Sequence, residues 1–159
     1  GKKEVEHLKA FVEDGGRLVM LNQAWKFAAE VFDLQVTDIT EKLSDEKFFC
    51  SGSTIRAEFY TGHPLTAGMP AGGLVLFTSS PVFEIVPGRH NDHYTTVVRY
   101  AKKNLLKSGW LVGEDIMAGK PAMVTVQYGQ GEIVLIGFRV QHRAQTHGTF
   151  KLLFNTLFN

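Results

Sequence analysis

Apolar residues recur at helical spacing at both ends of the chain and at alternating spacing through its middle. Val5, Leu8, Phe11 and Val12 share one helix face that stops at Gly15-Gly16. "RLVML" (17–21) follows, an apolar run suited to a strand buried on both faces. Asn22 is placed to cap a second helix carrying Ala24, Phe27, Ala28, Val31 and Phe32 as its apolar stripe. Helix, Gly-Gly turn, buried strand, polar cap and helix are the grammar of an α/β fold with parallel strands.

The middle reads as antiparallel. "STIRAEFYT" (53–61) alternates, with Ile55, Ala57 and Phe59 on one face and Arg56, Glu58 and Tyr60 on the other. "GHPLTAGMP" (62–70) is a turn whose Pro64 ends that strand. "LVLFT" (74–78) and "HYTTVVRYA" (93–101) are further strands. "AMVTVQYGQGEIVLIGF" (122–138) is a hairpin turning at Gly129-Gln130-Gly131. A last helix carries Phe150, Leu153, Phe154, Leu157 and Phe158 on one stripe, which predicts that this face docks on a sheet. No repeat or linker divides residues 1–159, so one domain is expected. A doubly wound domain normally opens with a strand; a chain opening in a helix suggests a segment of a longer polypeptide.

Composition narrows the function classes. A formal charge of +1 gives no electrostatic grip on nucleic acid. No apolar run reaches the ~18 residues of a membrane span. Cys50 is the single cysteine, so no internal disulfide is possible. It lies in "FFCSGS", ahead of a strand, whereas a catalytic thiolate wants a strand-to-helix elbow beside an imidazole; a catalytic cysteine is rejected. None of the six histidines has a glutamate three positions on, and His90, Asp92 and His93 share only a polar loop, so no metal site is assigned. The glycines of "GQGEIV" lead into a strand, not the helix N-terminus that a phosphate cradle needs.

The polar stretch after Phe138 is the remaining candidate. Arg139, Gln141, His142, Arg143 and Gln145 lie between a strand's carboxyl end and a helix start. Ligands of open α/β sheets bind along that edge. Asn22 and Gln23 after the first run, and Ser79 and Ser80 after the second, belong to the same edge if the strands are parallel. "SGWLVGE" (108–114) would add Ser108, Trp110 and Glu114. Such a crevice suits a peptide carboxylate or another anion held by paired arginines. Alternatively it is a structural corner, its arginines paired with local acids such as Glu114. No catalytic residue is assigned.

Several segments resemble a known family. "FVEDGGRLVMLNQA" is similar to the FV-x-x-GG-x-L-V-x-L segment of class I glutamine amidotransferase-like domains, and "GHPLTAGMP" to their HPL-x-x-G-x-P turn. "SSPVF", "SGWLVGE" and "GQGEIVLIGFRVQHRAQTHGTFKLLFN" resemble the version of that domain at the C-terminus of bacterial zinc carboxypeptidases of the carboxypeptidase A type. The resemblance implies a flavodoxin-like three-layer sandwich with a mainly parallel sheet plus an antiparallel hairpin, its first strands upstream. It also implies a secreted or periplasmic exopeptidase as parent, whose catalytic domain would be the partner and would hold the zinc. A homodimer is a further expected partner state. The amidotransferase cysteine and its histidine–glutamate pair have no counterpart: His142 is followed by Ala144, and His147 by Thr149. The expectation is a domain without chemistry or cofactor of its own. The alternative is a hydrolase or amidotransferase completed by a partner or by upstream residues.

Overall fold

The computed structural model describes residues 1–143 and 146–158. Its elements are α1 (Lys2–Glu13), β1 (Arg17–Leu21), α2 (Trp25–Phe32), β2 (Val36–Asp38), β3 (Phe49–Cys50), β4 (Ser53–Phe59) and β5 (Gly72–Phe77). Then come β6 (Phe83–Ile85), β7 (Tyr94–Tyr100), β8 (Leu106–Ser108), β9 (Leu111–Val112), α3 (Glu114–Met117), β10 (Pro121–Tyr128), β11 (Gly131–Ile136) and α4 (His147–Phe158).

The main sheet runs β1-β11-β10-β7-β4-β5, with β8 against β4. The fold is α/β with a mixed sheet, but the mainly parallel character expected of it is not found. Only β1 and β11 pair in parallel; every other described ladder is antiparallel. The reason is local. A tight turn at Gly129 (φ +58°) forces β10 and β11 into a hairpin, and parallel neighbours need a crossover of a dozen or more residues. A second correction concerns β1. It is an edge strand, half-buried along most of its length instead of covered on both faces.

Period-2 alternation divides the sheet into two cores. Ile133 and Leu135 of β11 join Val124 and Val126 of β10 under α1 and α2, which contribute Val12, Trp25, Ala28 and Phe32. Val134 and Ile136 point the other way, into a larger core with Ile55, Ala57, Val75, Phe77, Tyr100 and Leu152 of α4. Helices thus lie on both faces, giving the three layers. Trp25 meets Phe83 edge-on at 5.5 Å and Phe32 meets Tyr128 at 4.9 Å. Each such pair adds about 0.5–1.5 kcal/mol beyond area burial. The stripe expected for α2 is shifted: Trp25 is buried, while Phe27 is 46% exposed.

The sheet curls, bringing the chain after β11 back to β5, where Arg139 N donates to Leu76 O at 3.0 Å in an isolated antiparallel bridge. α4 sits between the edge strands β1 and β5. Arg17 Nη1 on β1 donates to Thr156 O at 2.9 Å, and the 62–70 turn offers its carbonyls to the same helix.

Candidate functional site

The curl decides which predicted site residues meet. Asn22 takes a left-handed conformation (φ +50°) and does not cap α2. Its amide instead donates to Thr78 O (3.2 Å), Ser80 Oγ (3.2 Å) and Gly137 O (3.0 Å). One side chain therefore clasps the carboxyl ends of β1 and β11 to the chain leaving β5. Gln23 Nε2 donates to Ser79 O at 2.7 Å, and Ser80 Oγ accepts from Thr78 N at 3.1 Å. Gly137 is closely enclosed here: a Cβ would stand 3.0 Å from Ala122 O and 3.1 Å from Phe83 and Pro81, so its neighbours would have to give way.

Asn22, Gln23, Ser79 and Ser80 are thus brought together as expected of one sheet edge, yet by a different route. Their polar groups are engaged with one another and with strand-end carbonyls. The Asn22 bonds are part-buried and the Gln23–Ser79 bond is exposed, so the Asn22 bonds are the costlier ones to break.

The 139–143 stretch differs. Its main chain is fixed by the Leu76 bridge and by Thr149 Oγ1, which donates to Val140 O at 2.7 Å. Arg139 and Arg143 are exposed, and His142 is half-buried. Arg143 has φ +47°. No ion pair among the described residues includes either arginine. Glu114, offered above as their local acid, instead accepts from Leu105 N at 3.1 Å in the first turn of α3. Gln145 lies outside the described residues.

Strand register extends this edge sideways. Arg139 bridges Leu76, Leu76 faces Thr54, and Thr54 faces Ser108. Beside that row lies an open groove of about 740 Å³ lined by Thr54, Leu74, Leu76, Ser108, Thr146 and His147. Trp110 is 67% exposed; its backbone N donates to Ser53 Oγ at 3.0 Å, and that hydroxyl donates to Trp110 O at 2.9 Å. Thr54 and Thr146 went unassigned from sequence. The alternation of β4 does place Thr54 opposite the buried Ile55 face, which was the available signal.

Reactive groups are sparse. Cys50 lies in β3 with its thiol buried, which pushes its pKa up to about 11, partly offset by a hydrogen bond with Ser53. Such a thiol is protonated at neutral pH and is a poor nucleophile. His90 and His93 stack with centroids 5.1 Å apart. No group of three potential metal-ligating side chains occurs among the described residues.

No family model and no curated protein matches the chain. Solved structures do match it. A GMP synthase-type protein of Thermoplasma acidophilum superposes with a TM-score of 0.59 at 10% identity, covering 98% of this chain and 63% of that one. A ThuA-like protein of Bacteroides uniformis gives 0.53 at 14% identity, covering 99% and 63%. A β-galactosidase of Bacillus circulans gives 0.52 at 14% identity, where 96% of this chain matches only 20% of the enzyme. The chain spans less than two thirds of these structures. It shares its α/β fold with these structures.

Proposed function

We propose that the chain is a non-catalytic, amidotransferase-like accessory domain that packs against the catalytic domain of a larger enzyme. One observation carries this reading. The sheet edge where α/β proteins hold ligands is knitted shut by Asn22, whose amide serves three acceptors on strand ends. The lone thiol, protonated at neutral pH, supports it. The β-galactosidase match adds a precedent, since there the same fold forms a fifth of a long enzyme chain. A zinc carboxypeptidase as parent rests on the sequence resemblance of SSPVF, SGWLVGE and residues 129–155; none of the structural matches described above is a carboxypeptidase. The described residues offer no three-ligand cluster, so the zinc would reside in another part of that parent.

Glutaminase and carboxypeptidase assays on residues 1–159, with zinc added, should give no turnover. Turnover abolished by Cys50→Ala would replace this reading with that of an enzyme. A second, narrower reading is capture of a peptide carboxylate by Arg139 and Arg143. It is favoured by their exposure and by the absence of any ion pair to either among the described residues. Titration with a short peptide bearing a free C-terminus should shift the two arginine side-chain NMR signals, and the amidated peptide should not. Equal responses to both peptides, or none, would remove it.

A further inference from the structure

The "GHPLTAGMP" turn takes no part in the site described above, yet α4 hangs on it. Asn155 Nδ2 donates to Leu65 O and Ala67 O at 3.0 and 3.1 Å, and Lys151 Nζ to Gly68 O at 3.2 Å. Leu65, buried, joins Leu152 of α4 in the larger core. The turn itself is one short 3-10 helix, Pro64–Thr66, so its start has few bonds to rely on. Pro64 brings no N–H. Thr66 N and Thr66 Oγ1 donate to His63 O at 3.1 and 3.0 Å. Leu65 N donates to the side chain of His63, at Nδ1, over 3.2 Å. His63 is therefore the N-cap, a place that Ser, Thr, Asp or Asn commonly fills.

An imidazole cap differs from those in one respect: it takes up a proton near neutrality. A backbone N–H can only donate, so His63 Nδ1 carries no proton and the neutral ring keeps its own on Nε2. In the imidazolium both nitrogens donate, and no flip of the ring restores an acceptor. We propose that His63 is an acid-sensitive latch on α4. Neutral, it caps the turn whose carbonyls seat the helix; protonated, it drops Leu65 N–H and loosens that seat. The surrounding groups do not cancel the effect. Burial disfavours the charged ring and holds its pKa below the usual histidine value; Glu132 of β11 pulls the other way, and Arg17 of β1 adds to the burial. Those two charges are paired with each other at 2.9 Å. Tyr60 of the preceding segment lies 6.3 Å from the imidazole, ring to ring, and α4 brings Lys151 to the turn at Gly68 O. A histidine whose pKa is depressed on folding stabilises the fold fully above its unfolded value, about 6.5, and loses that contribution as pH falls through the folded one. Mild acid should thus open α4 and expose Leu65 and Leu152, while the core under α1 and α2 stays closed. The latch holds whatever the domain accompanies.

The test is amide hydrogen exchange of α4 on residues 1–159 between about pH 7.5 and about pH 5, corrected for the intrinsic pH dependence of exchange. The opening equilibrium of α4 should rise roughly two- to tenfold across that range, the worth of one hydrogen bond, and that of α2 should not. His63→Asn supplies an oxygen that accepts from the same N–H and does not titrate, so its profile should stay flat at the neutral level. The His63 ring, followed by its NMR titration, should share the midpoint of α4 opening. His147, in the first turn of α4, is the other imidazole whose charge could loosen the helix, and His147→Gln should leave the transition in place. A transition that survives His63→Asn, vanishes in His147→Gln, or appears equally in α2 would overturn the inference. So would a His63 titration at a midpoint different from that of the helix.

Discussion

α2 and α4 both carry an apolar stripe in sequence, and they spend it oppositely. α2 sinks Trp25, Ala28 and Phe32 against Phe83, Tyr128 and Val124 and Val126 of β10. α4 lies in the trough between the curled sheet's two edge strands and turns small or branched residues inward. The inward residues Thr149, Leu152 and Thr156 are all at most 1% exposed. The threonine hydroxyls remain satisfied, Thr156 by the Leu152 carbonyl one turn back and Thr149 by Val140 O. An amphipathic pattern therefore shows that a helix has a face to bury. The hydrogen-bond partners at its seat decide which face the domain itself covers.

The sharpest way to break this contrast is to truncate one buried ring. Phe32→Ala should destabilise the fold by about 3–5 kcal/mol, seen as a lower urea midpoint with unchanged slope. A cost below about 1 kcal/mol would mean that α2 is not seated as described.

The polar seat of α4 should cost less to disturb. Thr149→Val keeps the shape but leaves Val140 O without its donor, for an expected loss of about 1–3 kcal/mol in thermal or urea unfolding. Thr149→Ser should recover most of it, because the hydroxyl is what matters. If valine is neutral, the helix is held by apolar contact as α2 is, and the contrast fails.

How much of this was legible beforehand follows from the range of each interaction. The alternation of Ile55, Ala57 and Phe59, the Gly129 turn and the stop at Gly15-Gly16 are local signals, and the structure follows them. The β1–β11 pairing joins residues more than a hundred positions apart, as Arg17 and Glu132 show. Nothing within either segment announces it. Asn22 reads locally as a cap because asparagine often is one. Its actual role depends on three strand ends that only the curled sheet assembles. The structure brings Asn22, Gln23, Ser79 and Ser80 together where β1 and β5 end. Pairing of the arginines with Glu114 was not found, because Glu114 is drawn to the free N–H of Leu105.

The core beneath α4 should respond to alkali. Cys50 and Tyr100 both sit in the core beneath α4, and burial raises each above its ordinary pKa, Cys50 to about 11. A group that holds its proton more tightly when folded stabilises the fold below its unfolded pKa. That contribution is lost as pH rises through the folded value. Stability should thus fall from about pH 9 upward, with the Cys50 share spent by about pH 11. Urea midpoints between pH 8 and 11 check this, and Cys50→Ala should flatten the slope whatever it does to the plateau. An unchanged slope would place the alkaline transition on Tyr100, whose hydroxyl donates to Pro81 O at 3.0 Å, or outside this core.

The smallest effect is the most informative about α4. Phe158→Lys adds a charge to a ring that is 79% exposed, so residues 1–159 should change in stability by no more than about 0.5 kcal/mol. The same change at Phe32 would bury an unpaired ammonium beside Tyr128 and should prevent folding. Solubility should move the other way, because removing an exposed phenyl from a stacked pair shrinks the largest apolar feature of the helix. If Phe158→Lys instead costs as much as a core truncation, the outer face of α4 is already buried in the isolated chain, most simply against a second copy. Unfolding midpoints that depend on protein concentration would then reveal that copy.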